Sequence, residues 1–471
     1  MKLKQVIKKV YTVSKKADNP RLWLQHLVCE AAGLKAEEEI YISVNEENQE
    51  IIIQNRPINQ DDHILHVSSR ISKTSGKRRP LVDSAKQEYA SILSIKQKVE
   101  ICVYKDNCTS RIVVRPLRYK LLETATVESQ SDERLRLLSV CAGAGIGTGC
   151  LKDTNAFTPV MEIEFDDDSC EVLRHNYPHS YLFNGDIRDV HEVVESDVAF
   201  VSLPCSEHSS LGHLEGNVMN NLFIATAKIL MSSQCKVLFF ENVPAFYKSE
   251  GWFALKELLL DTYPYWQEKN IESYDFGAIA TRNRTYSVAF SDFDMFQAFQ
   301  FPKPPNVRRR KLKDYLDGKN GDYEWKSLEH WMTSFESREA WKDRSLDKTF
   351  VDGNAKQINA IPKRYRSQCA SNTYVLSEDK KKFRFLTENE IRRILRVPEW
   401  FEFCEHTPKT RRFEMLGQSV SGEVIRAIGN SIATVFMKQA LNKVNQTVRV
   451  VKEKVDSAVS IATNGQLELI I

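Results

Sequence analysis

None of the ten cysteines forms a CxxC pair or any other short metal-ligand spacing. That argues against a zinc site and a disulfide framework, and for a reducing compartment. No hydrophobic run approaches the length of a membrane span, and the basic start MKLKQVIKKVY has no apolar core of signal-peptide length. The expectation is a cytoplasmic protein with no membrane partner and no metal. Charge of one sign is also missing overall: 66 Lys+Arg against 63 Asp+Glu give +3. Apolar content of 42% and charged content of 27% are ordinary, and 471 residues suffice for two or three domains.

The charge is unevenly placed. Residues 1–120 hold 22 Lys+Arg and 14 Asp+Glu, an excess of eight. Further basic runs stand at Arg308-Arg309-Arg310-Lys311-Leu312-Lys313 and Lys363-Arg364-Tyr365-Arg366. Each run alone reads as solvated surface. Three such separated stretches in one chain point to nucleic-acid backbone.

The first 120 residues contain a repeat with a period of 59: Leu34, Ile40–Val44 and Arg56-Pro57 return as Leu93, Val99–Val103 and Arg115-Pro116. Each copy reads as a short helix, a strand, a turn and a second strand. The pattern resembles the swapped-hairpin (AbrB-like) DNA-binding fold, and a generic β-rich accessory domain fits it as well. Residues 121–134 are polar and read as a linker. From Leu135 the texture becomes alternating βα units, the pattern of a doubly wound α/β domain. Strands are expected at 135–140, 160–164, 197–203 and 236–241, with helices at 167–175 and 221–231. Residues 291–380 lose that rhythm. Thr387 and Glu390 then form a capping box that opens a helix. A last helix is expected after Gly429-Asn430-Ser431, and 446–471 reads as a strand pair or a frayed tail.

Chemistry gathers at strand ends. Leu203-Pro204-Cys205-Ser206 places a thiol after proline, Glu241-Asn242-Val243 ends an apolar strand, and Arg282-Asn283-Arg284 follows. About forty residues separate each part from the next, as suits separate strand ends of one parallel sheet. A thiolate, an acid and two guanidinium groups are what attack on carbon 6 of a pyrimidine requires. Cys205 also reads as a small buried residue, Glu241 as a surface turn, and the arginines as an exposed strand face; their shared order decides for function. The turn Cys141-Ala142-Gly143-Ala144-Gly145 lets the backbone approach a ligand. Glu164 at the next strand end suits a ribose hydroxyl, Phe165 can stack on adenine, and Asp186-Ile187 can receive the adenine amino group. The dinucleotide fingerprint fits only in part, so a nucleoside without pyrophosphate is the better match. His208 reads as a loop residue rather than a general base.

This order of glycine turn, acidic strand end, PC, ENV, RxR, LTxxE and GNS resembles the cytosine-C5 methyltransferase family over residues 135 to about 440. The resemblance implies a Rossmann-like catalytic domain (135–290 and 381–445) with a target-recognition domain at 291–380. It implies S-adenosylmethionine as cofactor, held by Ala142, Gly143, Gly145, Glu164, Phe165, Asp186 and Ile187. Asn430 and Ser431 would close the methionine pocket through the backbone. Cys205 would be the nucleophile and Glu241 the acid at ring N3, while Arg282 and Arg284 orient the base and the catalytic loop. Double-stranded DNA is the implied partner, with nucleoid association; oligomeric state is left open, a monomer included. The chain departs from the family at Cys141, Ile146, Ser206–Ser209 and Ile279-Ala280. An RNA-directed enzyme and a DNA-binding relative without catalysis stand as alternatives. As an appended module, the N-terminal 120 residues would add DNA affinity and could be removed without loss of methyl transfer.

Overall fold

The computed structural model describes residues 4–60, 62–106, 109–118, 123–125, 133–204, 218–318, 323–337, 345–461 and 467–469. One thirteen-stranded sheet runs through the molecule. Its catalytic half has the order Tyr265–Glu272, Asn283–Phe290, Val237–Asn242, Val198–Val201, Leu135–Val140, Phe157–Glu164 and Tyr181–Asn184. The last five of these are mutually parallel, and Asn283–Phe290 is antiparallel to both of its neighbours. The central strands are buried on both faces, Val237–Asn242 throughout, as expected for strands covered by helices on either side. The helices Ile146–Lys152, Asp167–Asn176 and Val218–Ser232 supply that cover. Asp166 caps the second of them by accepting from Ser169 N–H at 2.9 Å.

The same sheet continues into the N-terminal region. Lys4–Thr12 pairs in parallel with Tyr181–Asn184, and Lys98–Lys105, Ser110–Pro116, Glu50–Gln54, Glu39–Asn45 and His63–His66 follow outward. The two repeat copies are two hairpins joined edge to edge, Val113 opposite Ile52. A smaller four-stranded sheet lies beside them. The cores are shared as well: Cys170, Leu173, Tyr177 and Leu182 of the catalytic half pack among N-terminal residues such as Ile7, Val28 and Ile101. Basic residues complete the contact, with Lys9 on Asp167 at 2.7 Å, Arg79 on Glu171 at 3.0 Å and Lys98 on Asp189 at 2.6 Å. Part of the excess positive charge of residues 1–120 therefore meets carboxylates of this same chain.

Within the stretch read as a linker, Glu123–Ala125 is a strand parallel to Glu192–Val194, and Thr124 Oγ1 donates to Ser232 O at 2.8 Å. The irregular segment has a small sheet around Trp331, Phe350, Tyr374 and Phe383, whose rings meet edge to face except for the stacked pair Phe350 and Tyr374. Thr387 and Glu390 make the capping box, and the buried Glu390 carboxylate also holds Arg384 at 2.8 Å. The last helix is longer and begins earlier than the sequence pattern suggests: it runs unbroken from Gly422 to Ala458. A hairpin of Val459–Ile461 and Leu467–Leu469 follows it. Among the described residues no helix is long and apolar enough to cross a membrane.

Candidate active site

The carboxyl ends of parallel strands form a cleft wherever neighbouring connections diverge, and side chains just past those ends point into it. Glu241 is the fifth residue of Val237–Asn242 and is buried at that edge. Ser202, one residue past Val198–Val201, donates its hydroxyl to Glu241 Oε2 at 3.2 Å. Asn242 Nδ2 donates to Leu203 O at 3.0 Å, and Asn242 Oδ1 accepts from Val243 N–H at 2.8 Å. The acid-bearing strand is thus tied to Leu203-Pro204, the segment that leads to Cys205. Cys205 itself, with Ser206 and His208, lies outside the described residues.

Because Asn283–Phe290 runs antiparallel, its amino end reaches this same edge. Arg284 Nε stands 3.1 Å from Glu241 Oε1 as an ion pair. That oxygen is buried without a hydrogen-bond partner among the described residues. A carboxylate left in this state keeps acceptor capacity for an incoming ring nitrogen. Arg282 has a different job. Buried, it donates to the carbonyls of Gly417 (3.3 Å) and Ser419, clamping the turn between the helices Lys409–Gln418 and Gly422–Ala458. The two arginines share an edge but hold different groups.

A second cluster surrounds the glycine turn. Cys141, Gly143 and Gly145 all have positive φ (53°, 56° and 83°). A Cβ on Gly143 would meet nothing within 4 Å, so the crest of the turn faces open space. A Cβ on Gly145 would stand 2.6 Å from Leu173 Cδ2 and 2.7 Å from Tyr177 Cε2. Gly145→Ala is therefore expected to cost roughly 2–4 kcal/mol through backbone strain and overpacking, read as a lower melting temperature. Glu164 accepts from Gly143 N–H (2.7 Å), Phe165 N–H (2.8 Å) and Asp166 N–H (2.9 Å). Burial pushes its carboxyl above the usual range, while these backbone donors oppose the shift. Phe165 is 72% exposed beside it, unusual for a large apolar ring. Asp186 caps the turn Ile187–Asp189, and Arg188, donating from Nε at 2.8 Å, holds its carboxyl below the usual range; Ile187 is buried. Ala142, Gly143, Gly145, Glu164, Phe165, Asp186 and Ile187 thus follow three adjacent strands at one edge.

Asn430 and Ser431 are not brought there. They lie inside the Gly422–Ala458 helix, where backbone N–H groups are engaged by the preceding turn. Gly429 packs on Leu151, Thr154 and Phe157, residues at the opposite, amino-terminal edge of the sheet. Sequence reasoning missed the neighbouring Gly417-Gln418-Ser419, which repeats the Gly-x-Ser spacing twelve residues earlier and reaches the site through Arg282. Nothing local separates the two segments; the structure does, because one helix ends at Gln418 and the next runs unbroken through Gly429. Asn242 was also missed as the tie between the two catalytic strand ends.

The family described as C-5 cytosine-specific DNA methylase matches residues 135–434. Type II methyltransferase M.Bsp6I of Bacillus sp. (strain RFL6) is 27% identical over 319 residues, covering 63% of this chain and 98% of that protein. Type II methyltransferase M.HhaI of Haemophilus parahaemolyticus is 29% identical over 177 residues, 36% of this chain and 53% of that protein. The solved structure of the Entamoeba histolytica methyltransferase EhMeth shares the fold, with a TM-score of 0.51 at 16% identity over 64% of this chain and 98% of that one. With its Rossmann-like sheet, its buried Glu241 and its matched family span, the chain belongs to the C-5 cytosine-specific DNA methylases and is a DNA cytosine methyltransferase.

Proposed function

We propose that the enzyme transfers a methyl group from S-adenosylmethionine to C5 of a cytosine flipped out of double-stranded DNA, through a covalent bond between Cys205 and C6. The observation that carries this reading is Glu241: a buried carboxylate at the carboxyl edge, paired with Arg284 and tied through Ser202 and Asn242 to the segment before Cys205. The turn at Gly143 fits a nucleoside cofactor, because its crest is open and Glu164, already held by backbone donors, keeps acceptor capacity for a ribose hydroxyl. When bound, S-adenosylmethionine supplies a methyl group on a sulfonium. The exposed ring of Phe165 would give the adenine a stacking surface, and Asp186, held by Arg188, would be the acceptor for its amino group.

In a duplex, C6 is hidden within the stack, and extrusion of the base costs roughly a few kcal/mol. The Cys205 thiolate then adds to C6, and the π pair of the C5–C6 double bond shifts through C4 towards N3, leaving C5 enamine-like and nucleophilic. Glu241 holds a proton at N3, so negative charge does not build there, and Arg284 orients the carboxyl. After C5 is methylated, a base removes the C5 proton and the C6–S bond breaks, restoring the ring and the thiolate. Glu241→Gln keeps a hydrogen-bonding group but loses the acid. It is expected to lower kcat by about 10²–10⁴-fold while leaving cofactor affinity unchanged, as equilibrium binding would report.

The exposed basic residues Arg308, Arg310, Lys363 and Arg364 offer phosphate contacts within the recognition segment. Labelled methyl transfer to matched DNA and RNA pools tests the substrate. Transfer to RNA alone overturns the DNA reading, and transfer to neither favours a DNA-binding relative without catalysis.

A further inference from the structure

The Gly422–Ala458 helix changes character half-way. Its first half is buried through Val424, Ile425, Ile428, Ile432 and Val435. From Ala440 to Val451 every residue is exposed. An isolated helix with nothing packed on it is marginal in water, so a stretch of this kind calls for a covering element. The exposed stretch carries a regular stripe: Met437 is 62% exposed, Leu441 61%, Val444 58%, Val448 60% and Val451 54%. The steps between them are four, three, four and three residues, the 3.5-residue period of a coiled-coil seam.

We infer that this stripe pairs with the same stripe of a second copy of the chain, making the enzyme a parallel, two-stranded coiled-coil dimer. Three features select that occupant. The seam is narrow and bordered mostly by polar residues, Ala440 and Val450 (49% exposed) being the apolar exceptions, which suits one facing helix rather than the broad apolar face that a membrane surface takes. Lys438, Ala440, Asn445 and Thr447 flank it with one charge among four, so a two-fold pairing places Ala440 beside Asn445 and opposes no like charges there. Finally, the five side chains expose on the order of 500 Å² of apolar surface, at the upper end for one patch on a monomer; two copies remove about twice that, the scale of a specific interface. The hairpin after the helix points the same way. Val459–Ile461 and Leu467–Leu469 form a two-stranded sheet with no third strand among the described residues. A lone hairpin is marginal in water, and a parallel dimer brings two of them to the same end of the coil.

Sedimentation of the full chain at micromolar concentration should give the mass of two 54.3-kDa chains. The Leu441→Glu/Val448→Glu double variant should sediment as one chain and lose helical signal, with its methyl transfer per chain unchanged. The Val444→Cys variant, in register with its own copy, should give a dimer band on mild oxidation, whereas Asn442→Cys on the outer face should not. A monomeric native chain, a larger assembly, a dimer that survives both glutamates, or equal cross-linking at the two positions would overturn the inference.

Discussion

The Cys205→Ser enzyme is expected to lose methyl transfer by roughly 10⁴–10⁶-fold, the scale of removing a nucleophile, while binding S-adenosylmethionine as the native enzyme does. A thiol is a few per cent ionised near neutral pH and is intrinsically nucleophilic, whereas a serine hydroxyl needs a dedicated base. Ser202, Glu241, Asn242 and Arg284 leave no such base among the described residues beside the Pro204 end: the acceptor that Glu241 keeps beside Ser202 and Arg284 is the one that serves ring N3. The glycine turn and Glu164 belong to other strand ends, so cofactor binding is untouched by the change. Single-turnover transfer to duplex DNA reads the first quantity and equilibrium binding the second. A 5-fluorocytosine duplex should give an adduct that survives denaturation with the native enzyme and none with the variant. A serine enzyme that turns over at the native rate would remove the covalent mechanism and leave only the family assignment standing.

Deleting residues 1–118 is expected to abolish the folded enzyme rather than merely weaken its grip on DNA. An appended module would leave a finished edge behind. Here the deletion strips the parallel partner from Tyr181–Asn184 and uncovers Leu173, Tyr177 and Leu182. Re-exposing these three side chains costs about 1.5–3 kcal/mol each, against a net stability of roughly 5–15 kcal/mol for a typical domain. Asp167, Glu171 and Asp189 lose their cations at the same time, and the bared strand becomes an edge that invites aggregation. Soluble yield, melting temperature and cofactor binding should all fall. A truncated chain that is soluble, binds cofactor and methylates at low salt with a shallower salt dependence would restore the reading of a separate DNA-binding module.

The chain's own pattern was enough for the catalytic half. Apolar runs such as Val237–Phe240, short and set among alternating helical segments, read as central strands, because every residue in them must be covered on both faces. Residues just past such runs fall at one edge whatever the details of packing, which is why Glu164, Glu241 and the glycine turn are legible in the residue order alone. The strict steps of the capping box at Thr387 and Glu390 are equally local. The repeat of residues 34–116 likewise marked both hairpins.

What the tertiary structure decided depends on which surfaces meet. Two Gly-x-Ser segments stand twelve residues apart, and nothing local separates them; only the packing of Gly429 on Leu151 and the reach of Arg282 to Gly417 do so. The two arginines look equivalent on a strand, yet one clamps a turn and the other faces Glu241. The basic N-terminal residues look free for DNA until the fold sets Lys9, Arg79 and Lys98 against carboxylates far along the chain. Secondary structure and the strand-end position of a residue follow from the spacing of neighbours. Which partner satisfies a charge or covers an edge is a contact between distant segments, and one sequence read alone carries no term for it.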